Sequence, residues 1–182
     1  MCHNPHMSFK YKALFIITPL VFIIDQLTKW LVTMYIPFQG SVPVISGYLD
    51  LVFFRNPGAA FGMFASFGDD FRKYFFFIVA VIAVIFLAVF FAHLKKEARM
   101  LPVAISLVFA GIAGNIMDRI RFGEVTDFIS VHVRDVVLDF TIFSRHMHIP
   151  LNWPAFNVAD SAITVAMFML VITAFRSDGR EG

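Results

Sequence analysis

The sequence predicts an all-α membrane protein, with four transmembrane helices and a small juxtamembrane β-sheet on the outer side, and three observations lead there. Of its 182 residues 59% are hydrophobic and 24 are phenylalanine, and mean hydropathy is +0.76. That is more apolar surface than a soluble domain of this length can bury. Four stretches reach the roughly 20 apolar residues that a helix needs to cross a bilayer core. Between the first two, a short run alternates in the manner of strands. One integral domain over residues 1–182 is expected.

The first span is predicted at Ala13–Ile36. Lys10 and Lys12 ahead of an apolar run resemble the start of a secretory signal peptide, but no small-x-small cleavage site follows, and the chain continues through Asp25-Gln26-Leu27-Thr28-Lys29-Trp30 into more apolar sequence. A retained helix with internal charges is the reading. Asp25 and Lys29 stand at i, i+4 and can pair, which lowers the cost of both in lipid; Lys29 could instead snorkel to the interface.

The outer loop 37–73 carries the strand pattern over Val42–Phe54, where β-branched and aromatic residues alternate between Pro and Gly breaks. Turn chemistry follows at Asn56-Pro57-Gly58, and Phe61, Met63, Phe64 and Phe67 suit an interfacial dip. The second span, Tyr74–Ala92, has no polar side chain beyond Tyr74 and reads as a lipid-facing anchor. The third, Met100–Met117, holds Ala110 and Gly114 as a small-xxx-small pair with Gly111 beside them, which suits close helix packing. A further short strand is expected at Asp135–Phe143. The fourth span, Phe156–Phe175, contains Asn157, Asp160, Ser161 and Thr164 at helical spacing, one polar stripe that must face protein or water.

Basic residues orient the bundle. The leader, the loop His93–Arg99 and the C-terminal tail hold seven Lys or Arg among 26 positions, whereas the two long connections hold seven among 75. By the positive-inside rule both termini are cytoplasmic and both long loops lie outside. Net charge is only +2, with no basic run interleaved with aromatics, so nucleic acid is not an expected partner. Cys2 is the single cysteine and supports neither a disulfide nor thiol chemistry. His146 and His148, and more weakly His3 and His6, lack the spacing and accompanying ligands of a metal site; no metal and no cofactor are expected.

An acid at membrane depth marks a functional site. With this topology Asn115, Asp118, Arg119, Asp127, Asn157 and Asp160 gather at the outer boundary, and two carboxylates, Asp127 from the loop and Asp160 from the helix, can converge. Two carboxyls in a partly dry site hold one proton between them, which supplies a general acid and a general base at neutral pH. Structural ion pairs of these acids with Arg119 or Arg121 are the alternative.

These residues stand in strings that closely resemble lipoprotein signal peptidase, the signal peptidase II family of bacterial inner-membrane aspartyl peptidases. The strings are Asp25-Gln26-Leu27-Thr28-Lys29, Arg55-Asn56-Pro57-Gly58-Ala59-Ala60-Phe61, Gly111 to Arg119, Val125-Thr126-Asp127-Phe128-Ile129 and Phe156-Asn157-Val158-Ala159-Asp160-Ser161. The resemblance implies a catalytic dyad of Asp127 and Asp160. Asp25, Lys29, Asn56, Gly111, Asn115, Asp118, Arg119, Asn157 and Ala159 would line or support the site, Asn56 bonding substrate backbone, Arg119 holding the carboxylates and Ala159 leaving room beside Asp160. It implies a periplasmic-side site, a prolipoprotein substrate bearing a diacylglyceryl group on the cysteine after the cleaved bond, contact with membrane lipid, and a monomer. The Pro57–Phe67 segment would close over the substrate. Two departures stand out: Ser130–Trp153 is longer than the family pattern suggests, and Met1–Ser8 has no counterpart and is expected to be disordered. A proton- or ion-coupled transporter using the intramembrane acids is the competing reading, with a non-enzymatic membrane scaffold behind it.

Overall fold

The computed structural model describes residues 7–58, 68–95, 98–142 and 145–178, without side-chain detail at 69, 73, 134–152 and 176–178. Four helices, α1 (Phe9–Tyr35), α2 (Asp69–His93), α3 (Met100–Phe122) and α4 (Val158–Asp178), are joined to an antiparallel sheet of β1 (Ser41–Ile45), β2 (Leu49–Asn56), β3 (Val125–Ile142) and β4 (Arg145–Asn152) in the order β1-β2-β3-β4. All four helices are long and apolar enough to cross a membrane. The predicted interfacial segment from Ala59 to Phe67, the leader Met1–His6 with Cys2, His3 and His6, and the side chains of His146 and His148 lie outside the description.

All four helices depart from their predicted bounds, and α1, α3 and α4 do so for local reasons. α1 begins four residues early because Lys10 is buried and its ammonium donates to the carbonyl oxygens of Phe91, Ala92 and Leu94 at 3.0–3.3 Å, closing the C-terminal end of α2. α3 runs five residues beyond Met117, since Asp118 is buried and has partners, and the helix ends only where Gly123 takes the left-handed conformation and its N–H bonds the Arg119 carbonyl. α4 begins at Val158 because Phe156 is held outside it. The Phe156 carbonyl accepts the N–H groups of Phe128 and Ile129, and the Phe156 N–H donates to the Ile129 carbonyl.

α1, α3 and α4 pack as the centre of the bundle. Glycine sets how closely: a Cβ at Gly111 would overlap Ile163 and the Ala159 carbonyl, and one at Gly114 would overlap the Asp25 carboxylate and press on Ala159. The small-residue reading of α3 is therefore a packing fact. α2 stands apart, with most of its apolar face exposed. Val32, Ile36, Phe53 and Phe128 form a buried cluster that seats the sheet on the end of α1.

The sheet is larger than the sequence predicts. Strand pairing begins at Val125, not at Asp135, so Asp127 lies on β3 and not in a loop. Between the pairs Leu51↔Ile129 and Phe54↔Asp127 the register slips by one residue on β2, a bulge that falls beside Asp127.

Candidate functional site

Three hydrogen bonds between Phe156 and β3 fix the distance from the sheet to the first turn of α4, and they lie one and two residues after Asp127 and four before Asp160. Asn157, in the last position before the helix, then ties the two acids together. Its Nδ2 donates to Asp127 Oδ1 at 2.8 Å, and its backbone N–H donates to Asp160 Oδ2 at 3.3 Å. Its Oδ1 accepts the Asp160 N–H at 2.9 Å, so Asn157 and Asp160 satisfy each other's amides in the reciprocal pattern of a capping box. An acid in the first turn also faces the positive end of the helix dipole.

The remaining oxygens are also met. Asn56 Nδ2 donates to Asp127 Oδ2 at 2.9 Å, and Asn115 Nδ2 donates to Asp160 Oδ1 at 2.8 Å. Each carboxylate thus receives two N–H groups from rigid elements. Asp127 is buried while Asp160 is partly exposed. Burial pushes the Asp127 carboxyl up to about 6, with the Asp160 charge pushing the same way; the N–H groups of Asn56 and Asn157 and the Lys29 charge oppose them.

Behind this pair lies a buried charge cluster. Lys29 Nζ stands 2.9 Å from Asp25 Oδ2 and 3.2 Å from Asp118 Oδ2, and it donates to Asn115 Oδ1 at 3.1 Å. The i, i+4 pair expected on α1 is present, but Lys29 is only 3% exposed and does not snorkel, because two carboxylates hold it inside.

Three other residues have partners that the sequence did not show. Asn56 is tied into the site itself: Nδ2 donates to Asp127 Oδ2 and Oδ1 accepts the Gly58 N–H, both at 2.9 Å, which leaves one N–H and one lone pair of the amide for a further partner. Arg119 forms no ion pair with Asp127 or Asp160; its guanidinium lies 4.9 Å from the Phe76 ring centre and donates weakly to the Asn115 carbonyl at 3.4 Å. It lines a cavity of about 220 Å³ with Tyr74, Phe77 and Ile120. Ala159 is fully buried, and besides leaving space for Gly114 it gives its N–H to Asp25 Oδ1 at 2.9 Å. The polar stripe of α4 divides: Asn157 and Asp160 reach the site, whereas the Ser161 and Thr164 hydroxyls bond carbonyls one turn back and Thr164 is exposed.

Sequence reasoning missed Gln26 and Thr126. Gln26 Nε2 lies 3.2 Å from Asp25 Oδ2, from Asp118 Oδ1 and from the Gly114 carbonyl. The Thr126 N–H donates to Asp118 Oδ2 at 2.9 Å. An amide side chain inside a membrane span was the available signal for Gln26; nothing local marks the backbone of Thr126.

The family pattern described as Signal peptidase (SPase) II matches residues 17–176. The chain is 40% identical over 172 residues to a lipoprotein signal peptidase of Syntrophotalea carbinolica, covering 94% of this chain and 96% of the relative. It is 37% identical over 175 residues to one of Geobacter metallireducens, covering 96% and 98%. Two solved structures, each described as a bacterial membrane enzyme determined by the in meso method, are similar in fold. One gives a TM-score of 0.74 at 32% identity, covering 94% of this chain and 97% of its own. The other gives 0.77 at 31%, covering 97% of both. The transporter reading finds no support among these similarities. The charged strings on which the resemblance rests all fall inside the matched region, and the chain belongs to the signal peptidase II family of membrane proteases.

Proposed function

We propose that the chain is an intramembrane aspartic endopeptidase that removes the signal peptide from diacylglyceryl-modified prolipoproteins, cleaving just before the lipidated cysteine, with Asp127 and Asp160 as the catalytic pair. The observation that carries this reading is the shared bonding of both carboxylates to Asn157 at the sheet end of the bundle. A pair held on rigid elements can act on one peptide bond from two sides.

In this mechanism one carboxylate takes a proton from a water molecule as its oxygen attacks the scissile carbonyl carbon, and the other carboxyl gives its proton to the carbonyl oxygen. The neutral tetrahedral intermediate collapses when a proton passes to the departing nitrogen and the C–N bond breaks. A carboxyl pushed to about 6 exchanges its proton near neutral pH, where it can both accept and return one. No group on the protein is acylated in this scheme.

The distribution of Lys and Arg supports cytoplasmic termini and a periplasmic-side site in the bacterial inner membrane. The exposed apolar helix faces support contact with lipid, and the cavity beside Arg119 has an apolar lining suited to an acyl chain. The protein acts as a monomer and as one domain in this reading, with Asn56, Asn115 and Asn157 holding the dyad, and Gly111 and Ala159 setting the approach of α3 and α4.

The test is turnover by purified full-length protein of a diacylglyceryl prolipoprotein against its unlipidated form, with EDTA as a control. Cleavage of only the lipidated substrate, unaffected by EDTA and blocked by globomycin, the inhibitor associated with this family, is expected. Equal cleavage of both forms contradicts the substrate assignment.

A further inference from the structure

Two backbone amides in this site are bonded in the same unusual way. The N–H of Ala159 donates to Asp25 Oδ1, and the N–H of Thr126 donates to Asp118 Oδ2, each at 2.9 Å. Ala159 immediately precedes Asp160 and Thr126 immediately precedes Asp127. Each dyad aspartate thus follows a peptide group held by a second, fully desolvated carboxylate on another element. Asp25 and Asp118 are 0% and 2% exposed, and two like charges so buried need a cation between them. Lys29 is that cation.

The third contact of Lys29 reaches the reaction centre. Its ammonium donates to Asn115 Oδ1, and the same amide's Nδ2 donates to Asp160 Oδ1. A primary amide has one acceptor end and one donor end, so a cation on the oxygen obliges the NH₂ group to face Asp160. Asn157 Nδ2 donates to the same oxygen at 3.2 Å, so Lys29 and Asn157 together hold the amide in this orientation, and loss of the cation removes the charged one of the two donors.

We propose that Lys29 is a positioning residue for the dyad: through Asp25 and Asp118 it sets the places of Ala159 and Thr126, and through Asn115, together with Asn157, it holds the amide end that Asp160 meets. This rests on Asp127 and Asp160 being the catalytic pair. Lys29 touches neither aspartate side chain, so its effect belongs to the chemical step and not to substrate affinity. Arg119 from α3 and Asp127 from β3 act electrostatically on Asp160, Asp25 from α1 accepts the N–H of the preceding Ala159, Asp118 from α3 accepts that of Thr126, and Lys29 from α1 contacts the side chain of its partner Asn115.

The experiment compares full-length wild type with the double variant Lys29→Met/Asp118→Asn, which leaves the net charge of the cluster unchanged and leaves an oxygen at 118 for the Thr126 N–H. Melting temperature, kcat, KM and the pH–rate profile are read on a diacylglyceryl lipopeptide. The folded double variant should lose about 100-fold or more in kcat, as small misplacement of reacting groups commonly costs, with KM within about threefold and the acidic limb of the profile displaced. Adding Asn115→Leu should cost no more than the larger of the two losses alone, because Lys29 acts on Asp160 through Asn115. A kcat within threefold of wild type, a loss carried by KM alone, or fully additive losses overturn the proposal. Should the double variant not fold, Lys29→Arg decides. A planar guanidinium cannot hold three converging acceptors as the compact ammonium does, so kcat should fall at least threefold at unchanged KM, and wild-type kcat overturns the proposal. Asp127→Asn and Asp160→Asn run in parallel: if they retain turnover the dyad reading fails, whereas inactive dyad variants beside a fully active Lys29 variant defeat only the present inference.

Discussion

α1 carries two buried lysines, one near each end, and they differ in what holds them. Lys10 is surrounded by neutral carbonyl oxygens at the C-terminus of α2, with its ammonium 5.2 Å from the Tyr11 ring centre and 5.7 Å from that of Phe91. Lys29 is surrounded by two carboxylates and an asparagine that reach the site. The same side chain, equally dry, therefore does different work. Lys10 ends a helix and fastens the outlying α2 to the bundle, while Lys29 offsets charges that hold the backbone beside Asp127 and Asp160. Burial of a charge in a membrane span identifies a constraint; its partners identify the kind of constraint.

Substitution separates the two ends. The largest contrast is in turnover: removing the Lys29–Asp118 pair as described lowers kcat about 100-fold, whereas Lys10→Met leaves kcat within about twofold, measured on the same lipopeptide. A large activity loss in Lys10→Met would remove the distinction. Next comes Gly114→Ala, whose added methyl overlaps the Asp25 carboxylate. Overpacking of this kind costs about 1–3 kcal/mol, and because it displaces a member of the cluster it should also lower kcat by about tenfold or more. A stability loss with unchanged kcat would show that the cluster tolerates movement.

The pH dependence of stability tests the burial of Asp127. Its carboxyl is raised from 3.8 to about 6 on folding, so between those values the folded state binds the proton more tightly than the unfolded chain does. Stability from this group is present below about 3.8 and is lost as pH rises through about 6, by roughly 3 kcal/mol for a shift of this size. Asp127→Asn should therefore gain stability relative to wild type across that window and hold a constant difference above it, read by thermal unfolding at a series of pH values. A difference that does not change with pH contradicts the buried position. The smallest effect is that of Lys10→Met on stability, about 1–3 kcal/mol from three lost carbonyl partners, seen as a lowered melting temperature.

What could be read from the sequence follows the range of the forces involved. Asp160 within an apolar segment and the i, i+4 pair of Asp25 and Lys29 are local patterns, and hydropathy marked all four helices because membrane burial acts on every residue of a span. The strand carrying Asp127 was hidden. Its alternation is broken at Arg134-Asp135, and its start at Val125 depends on pairing with β2, some 70 residues earlier in the chain. The bond from Asn56 to Asp127 was hidden for the same reason. Asn56 is the last residue of β2 and reaches Asp127 across the pairing with β3, which nothing near it in the sequence shows. Arg119 stacks on Phe76 of α2, a helix that sequence marked only as an anchor.

The account rests on two aspartates doing the chemistry together. The direct measurement is kcat of purified, full-length Asp127→Asn and Asp160→Asn on a diacylglyceryl prolipoprotein, with folding checked by melting temperature. Each folded variant is predicted to fall below about one-thousandth of wild-type turnover, within the range attributed to general acid and base groups. Either variant retaining a tenth of the activity or more contradicts it.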